Sequence, residues 1–236
     1  MGGDNEDWGR QHIDPDALLG RPRPGRPLEP PKDSHGSIDY NAWEKILRGK
    51  GVRGLPDSEL DRKIRDARSG DRDAQAELSL AERYADAGYE VEVVRPYSEG
   101  GPIVEPYSPD LRVKIAGQQT LRVDVKFRES GNTISRSSLN AQVDHANIQI
   151  KESREGHGDI VVDCSEAQDG GMDQGDFERY LRGKVSGSRI DDPSARLRNI
   201  DYLEIIYPDN GLLKRSFMIR LFISGAVDGP FTEALK

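Results

Sequence analysis

The spacing of the apolar residues changes at Gly88, and this change restricts the fold more than any other feature of the chain. Before it, Leu78, Leu80, Ala81, Tyr84, Ala85 and Ala87 gather on one wide arc at about 100° per residue, as on the buried side of a helix. Asp71 or Asp73 would cap that helix, and Gly88 would end it, because glycine accepts the left-handed conformation found there. After it, Tyr89-Glu90-Val91-Glu92-Val93 alternates with a period of 2, which predicts a half-buried strand. Residues 111–115 and 121–127 alternate in the same way around Ala116-Gly117-Gln118-Gln119 and predict a hairpin. Leu139, Val143, Ala146 and Ile150 then define one helix face. Residues 160–164 form an apolar run interrupted only by Asp163, as in a strand covered on both sides. Residues 177–181 predict a short helix, and residues 202–207 and 213–223 flank Pro208-Asp209-Asn210-Gly211, a hairpin turn. The predicted order is helix, three strands, helix, strand, helix, two strands: an α/β domain with a mixed sheet.

The first third reads differently. Arg21-Pro22-Arg23-Pro24-Gly25-Arg26-Pro27 and Pro30-Pro31 exclude a helix interior or a central strand, since proline lacks the N–H donor and fixes φ. Tyr40, Trp43, Ile46 and Leu47 have the spacing of a short docking helix, and Gly49 to Gly54 break it. Residues 56–67 carry only Leu60 and Ile64 as a large apolar pair, the thin stripe of a surface helix. The expected organisation is therefore a flexible leader with short helices over residues 1–70 and an α/β domain over residues 71–236.

Composition narrows the function classes. The net charge of -8 argues against a surface that binds polyanions over its whole area, while leaving room for local basic patches. Arg122, Lys126, Arg128 and Arg136 are candidates for such a patch; Arg62, Lys63, Arg65 and Arg68 read as a solvated helix face. Cys164 is the single cysteine, so an internal disulfide and a cysteine zinc cage are both excluded, and its apolar surroundings predict a buried thiol. No stretch approaches the length of a membrane span. His12, His35, His145 and His157 show no metal-site spacing, and Trp8 and Trp43 stand apart from the core pattern.

Two short motifs carry chemistry: Pro109-Asp110 at the start of one predicted strand and Asp124-Val125-Lys126 near the end of its antiparallel neighbour. The turn between the strands brings these ends together, and residues two apart share a face, so one sheet end would present two carboxylates and an ammonium. Phosphodiester hydrolysis needs such a set. Carboxylates hold a hard ion such as Mg²⁺ or Mn²⁺, the ion lowers the pKa of bound water, and the lysine orients that water or offsets charge on the phosphate. Glu77 falls near the centre of the apolar arc of its helix and Glu82 outside it; a carboxylate on a core face is costly unless paired or bound to metal.

A helical glutamate, then Pro-Asp, then Asp-x-Lys resembles the restriction-endonuclease-like nucleases. Over about Ala74 to Ile219 the chain further resembles the C-terminal toxin domains of contact-dependent growth inhibition (CdiA-type) systems, through residues 85–92, 108–111, 123–126 and 158–163. The resemblance implies a mixed sheet flanked by helices and a metal-dependent endonuclease acting on RNA, with tRNA the expected substrate. It implies Asp110, Asp124 and Glu77 as metal ligands and Lys126 as the catalytic lysine, with Mg²⁺ or Mn²⁺ as cofactor. A polar residue from the second helix, Gln142 or Gln149, would join Arg128 and Arg136 in contacting substrate. It also implies a cognate immunity protein, action in a bacterial cytoplasm after delivery into a target cell, and no membrane partner. Two other readings stay open on the residues alone: a DNA endonuclease with the same site, and a non-enzymatic binding or immunity-type module on the same scaffold.

Overall fold

The computed structural model describes residues 28–95, 110–114, 121–127, 135–152, 158–164, 176, 179–180, 197, 200–207, 215–220 and 231–233. Helix α1 (Tyr40–Gly49) begins at Asp39, whose carboxylate accepts from the Asn41 and Ala42 N–H groups, and is followed by the short strand β1 (Arg53–Leu55). Next come α2 (Ser58–Arg68) and α3 (Arg72–Asp86). Of the two candidate caps for α3 it is Asp71 that accepts from the Ala74 N–H. Gly88 ends the helix at a φ of 88°, with the Tyr89 N–H closing back on the Tyr84 carbonyl.

Strands β2 (Glu90–Val94), β3 (Leu111–Lys114) and β4 (Leu121–Phe127) follow, then α4 (Arg136–Glu152), β5 (Gly158–Asp163), β6 (Ile200–Tyr207), β7 (Arg215–Arg220) and β8 (Phe231–Glu233). The strands lie in chain order in one eight-stranded mixed sheet. β1 runs parallel to β2, β2–β3–β4 are antiparallel, β4–β5–β6 are parallel, and β6–β7–β8 are antiparallel. The predicted hairpin partners β3 and β4 are paired as expected, as are β6 and β7; the turns between them lie outside the described residues. Sequence periodicity missed β1 and β8. β1 is three residues long and contains Gly54, whose place no other residue could fill, because a Cβ there would lie 2.5 Å from the Leu60 backbone nitrogen.

Two apolar cores lie on the two faces of the sheet. Val123 and Val161 face a core shared with Trp43, Leu47, Leu60, Ile64, Leu78 and Tyr84, while Ile160, Val162, Leu203 and Ile205 face one shared with Leu139, Val143, Ala146 and Ile150 of α4. The consecutive Ile160, Val161 and Val162 of β5 follow from this double covering. Each fully buried leucine or isoleucine of the α4 stripe stabilises the fold by about 2 kcal/mol.

The expected boundary at residue 70 does not separate two regions. Trp43, Leu47, Leu60, Ile64 and Ala67 belong to the same core as Leu78 and Tyr84, so α1 and α2 are integral to the domain, and Trp43 is a core residue. Residues 1–27 lie outside the described residues. The thin stripe of α2 misled because Glu59 and Lys63 are buried beside it. Glu82, expected outside the arc of α3, is buried as well: Trp43 Nε1 donates to it at 2.8 Å and Lys50 Nζ at 2.6 Å. Among the described residues, no helix is long and apolar enough to cross a membrane.

Candidate functional site

Register places the two aspartates. Leu111 pairs with Val123, Arg112 with Arg122 and Val113 with Leu121, so one further step sets Asp110 across from Asp124. The Asp110 carbonyl also accepts from the Val94 N–H at 2.9 Å, which ties the start of β3 to the end of β2. Because Val123 faces the core of α1–α3, Asp124 and Lys126 leave the opposite face, toward α4. There the Lys126 ammonium pairs with Asp124 Oδ1 and donates to Gln149 Oε1 at 3.0 Å.

Glu77 arrives from α3 and is buried, as its place on the apolar arc predicted. Its partner is the ammonium of Lys63 on α2. Lys63 was read from the sequence as part of a solvated helix face; it is instead 7% exposed and turned inward. Its partner could not have been named from the sequence, because the pairing depends on how α2 packs on α3. Of the residues grouped with it, Arg65 and Arg68 are exposed, and Arg62 is held by Glu59 and Asp66.

Electrostatics join these groups into one cluster, with Asp110 at its centre. Burial, followed by the charge of Asp110, pushes the Glu77 carboxyl up to about 8 even though Lys63 pulls it down. Burial and then Asp110 likewise raise Asp124 to about 7 against the pull of Lys126. For Lys126, burial alone would favour the neutral amine. Asp124, Asp110 and Glu77 outweigh it and hold the ammonium above its ordinary range. Lys63 behaves alike, with burial opposed by Glu77 and Asp110.

Asp124 Oδ2 is buried and has no hydrogen-bond partner among the described residues. A buried carboxylate with one oxygen left over is costly, and that cost would be relieved by a cation. No three Asp, Glu, His or Cys side chains among the described residues converge closely enough to hold a metal by themselves. A hard ion such as Mg²⁺, which keeps several waters and takes one or two carboxylates plus substrate phosphate, suits a donor set of Asp110 and Asp124.

The remaining sequence candidates separate. Gln149 touches Lys126. Gln142 is half-buried on the same helix, seven residues earlier, and no hydrogen bond among the described residues joins it to the cluster. Arg136 is exposed at the start of α4, and Arg128 lies outside the described residues. Arg122 is not a surface cation: it is 1% exposed, on the strand face it shares with Asp124. Compared with protein-family models, with curated proteins and with solved structures, the chain matches none.

Proposed function

We propose that this chain is a metal-dependent endonuclease that hydrolyses phosphodiester bonds of RNA, tRNA first among its substrates, as the toxin domain of a growth-inhibition system. The observation that carries the reading is the orphaned, buried oxygen of Asp124, set across from Asp110 and beside Lys126, at the end of the sheet where Glu77 also arrives. A cluster of carboxylates raised toward neutrality is unfavourable as a purely structural device and well suited to a cation and a phosphate.

Asp110 and Asp124 would hold the ion. Bound there, Mg²⁺ or Mn²⁺ would supply a water acidic enough to attack near neutral pH and shield charge on the phosphate. Lys126 would place its ammonium against a phosphate oxygen or the attacking water, with Gln149 fixing its direction. Burial of the lysine strengthens that contact, since charge interactions grow as water is excluded. Glu77 would stand beside Asp110 as the third acidic group of the cluster. The RNA preference, the toxin role, a cognate immunity protein and cytoplasmic action rest on the resemblance in the sequence motifs.

The test is direct. Purified protein is incubated with tRNA and, separately, with plasmid DNA, with and without Mg²⁺. Metal-dependent cleavage of tRNA alone supports the proposal, cleavage of plasmid alone reassigns the substrate, and an inert protein overturns the enzymatic reading.

A further inference from the structure

Each end of the acidic cluster carries its own lysine. Lys126 accompanies Asp124 from two residues away on the same strand, but Lys63 comes from a different helix and meets Glu77 only through tertiary packing. The side chains of Lys63 and Glu77 are 9% and 7% exposed, so neither can turn away into water without moving α2 from α3. Leu60, Ile64 and Ala67, all buried, fix that helix against the core. Withdrawing an ammonium from water is costly, and a plain surface pair would not require it.

We infer that Lys63 is a built-in counter-cation: it commits Glu77 and limits the cluster to a single divalent ion, held at Asp110 and Asp124. The inference rests on the nuclease reading above and makes Lys63 a positioning residue acting through Glu77. A two-metal phosphodiesterase needs carboxylates free on both sides of the scissile phosphate to hold ions about 4 Å apart. Here the place beside Glu77 is filled by a tethered ammonium, which offsets the negative charge of Glu77 and Asp110 but cannot exchange with solvent ions. Of the three sequence-predicted ligands, two are then left for metal. Removing the ammonium while keeping the side-chain volume would leave Glu77 and Asp110 as a second acidic pair and admit a second ion.

Calorimetric titration of the full chain with Mn²⁺ tests this through stoichiometry, without reference to turnover. The wild type is expected to bind one ion, Asp124→Asn none, and Lys63→Met two. Glu77→Gln should keep one ion with an affinity changed by no more than about threefold, since its carboxylate is not a ligand and acts only through space. This variant keeps the test decisive if Lys63→Met fails to fold. Lys63→Arg, which retains the charge, should keep the count at one. A Lys63→Met protein that binds one ion at unchanged affinity, a wild type that binds two, or a Glu77→Gln protein that loses its ion would each overturn the inference and leave the nuclease reading standing. A wild type that binds no Mn²⁺, or binding untouched by Asp124→Asn, would overturn the metal site itself.

Discussion

Arg83–Glu204 and Lys126–Asp124 are both buried ion pairs on this sheet, and they are built in opposite ways. Glu204 on β6 meets the Arg83 guanidinium with both oxygens, each at 3.1 Å. Asp124 on β4 meets a point-like ammonium with one oxygen and leaves the other without a hydrogen bond among the described residues. In the first geometry one guanidinium nitrogen, Nη2, donates to both oxygens, so each has a charged partner. The second leaves the carboxylate short of positive charge, and burial, followed by the charge of Asp110, raises its pKa. Similar contrasts run along α3: Glu82 has a tryptophan N–H and a lysine, whereas Glu77 has a lysine and a neighbouring aspartate. Buried charge that serves the fold is closed off by its partners; buried charge at the candidate site is left short.

The largest expected effect tests the open pair. Lys126→Ala should lower single-turnover cleavage of tRNA by about 10³-fold, the size of losing a preorganised charge at a reacting phosphate. Its circular dichroism should match the wild type, because the residue is peripheral to both apolar cores. Retained cleavage would make the pair at Asp124 as structural as the one at Glu204.

Breaking the closed pair should have the converse outcome. Glu204→Ala removes the carboxylate paired with a guanidinium that is 2% exposed, and should destabilise the domain by about 3–5 kcal/mol, read by urea unfolding. A cost below about 1 kcal/mol would place this pair with surface ion pairs and blur the contrast.

The open cluster should also give the stability a distinctive pH dependence. Glu77 is raised from 4.5 to about 8 and Asp124 from 3.8 to about 7. Between the lower and the upper value of each, the folded protein holds protons that the unfolded chain has released. Stability from these groups is therefore fully present below about pH 4 and is lost as pH climbs toward 8. In divalent-free buffer the loss between pH 5 and 8 should be on the order of 5 kcal/mol, and Asp124→Asn should make the fall shallower. Saturating Mn²⁺ should flatten it too, by favouring the ionised carboxylates of the folded state. A stability that rises over this window in the wild type would mean that the carboxylates are already satisfied.

What the sequence made legible is what local periodicity controls. The α4 stripe of Leu139, Val143, Ala146 and Ile150 and the doubly covered β5 follow from spacing alone, and all are buried. Asp110 and Asp124 could be set across from each other because a short hairpin leaves one register once its apolar face is chosen. Glu77 could be turned inward because its neighbours outline the arc. Buried charges held by distant partners were not legible. Lys63, Glu82 and Arg122 are polar letters on amphipathic elements, where solvent is the usual destination. Only tertiary packing reveals that Glu77 waits for Lys63, or that Trp43 and Lys50 converge on Glu82. The same blindness put residues 40–68 in a leader: α2 shows a thin stripe because Glu59 and Lys63 form part of its buried surface.

The smallest effect concerns Gln149, the α4 residue that touches the Lys126–Asp124 pair. Its amide oxygen accepts from Lys126 at 3.0 Å, and this contact fixes where a flexible four-carbon side chain points. A hydrogen bond to a charged donor contributes about 1.5–3 kcal/mol when both partners are held, but Lys126 keeps Asp124 as an alternative. Gln149→Leu should therefore slow cleavage by only about five- to tenfold, near 1 kcal/mol. A positioning role predicts that the loss appears in the single-turnover rate at saturating substrate, with tRNA affinity unchanged. A loss confined to affinity would move Gln149 into the substrate-contacting surface and leave Asp124 alone to orient the lysine. Gln149→Glu sharpens the distinction: a second anion beside Lys126 should compete with Asp124 for the ammonium and leave the open pair shorter still of positive charge, so the protein should lose stability at pH 8 and cleave more slowly.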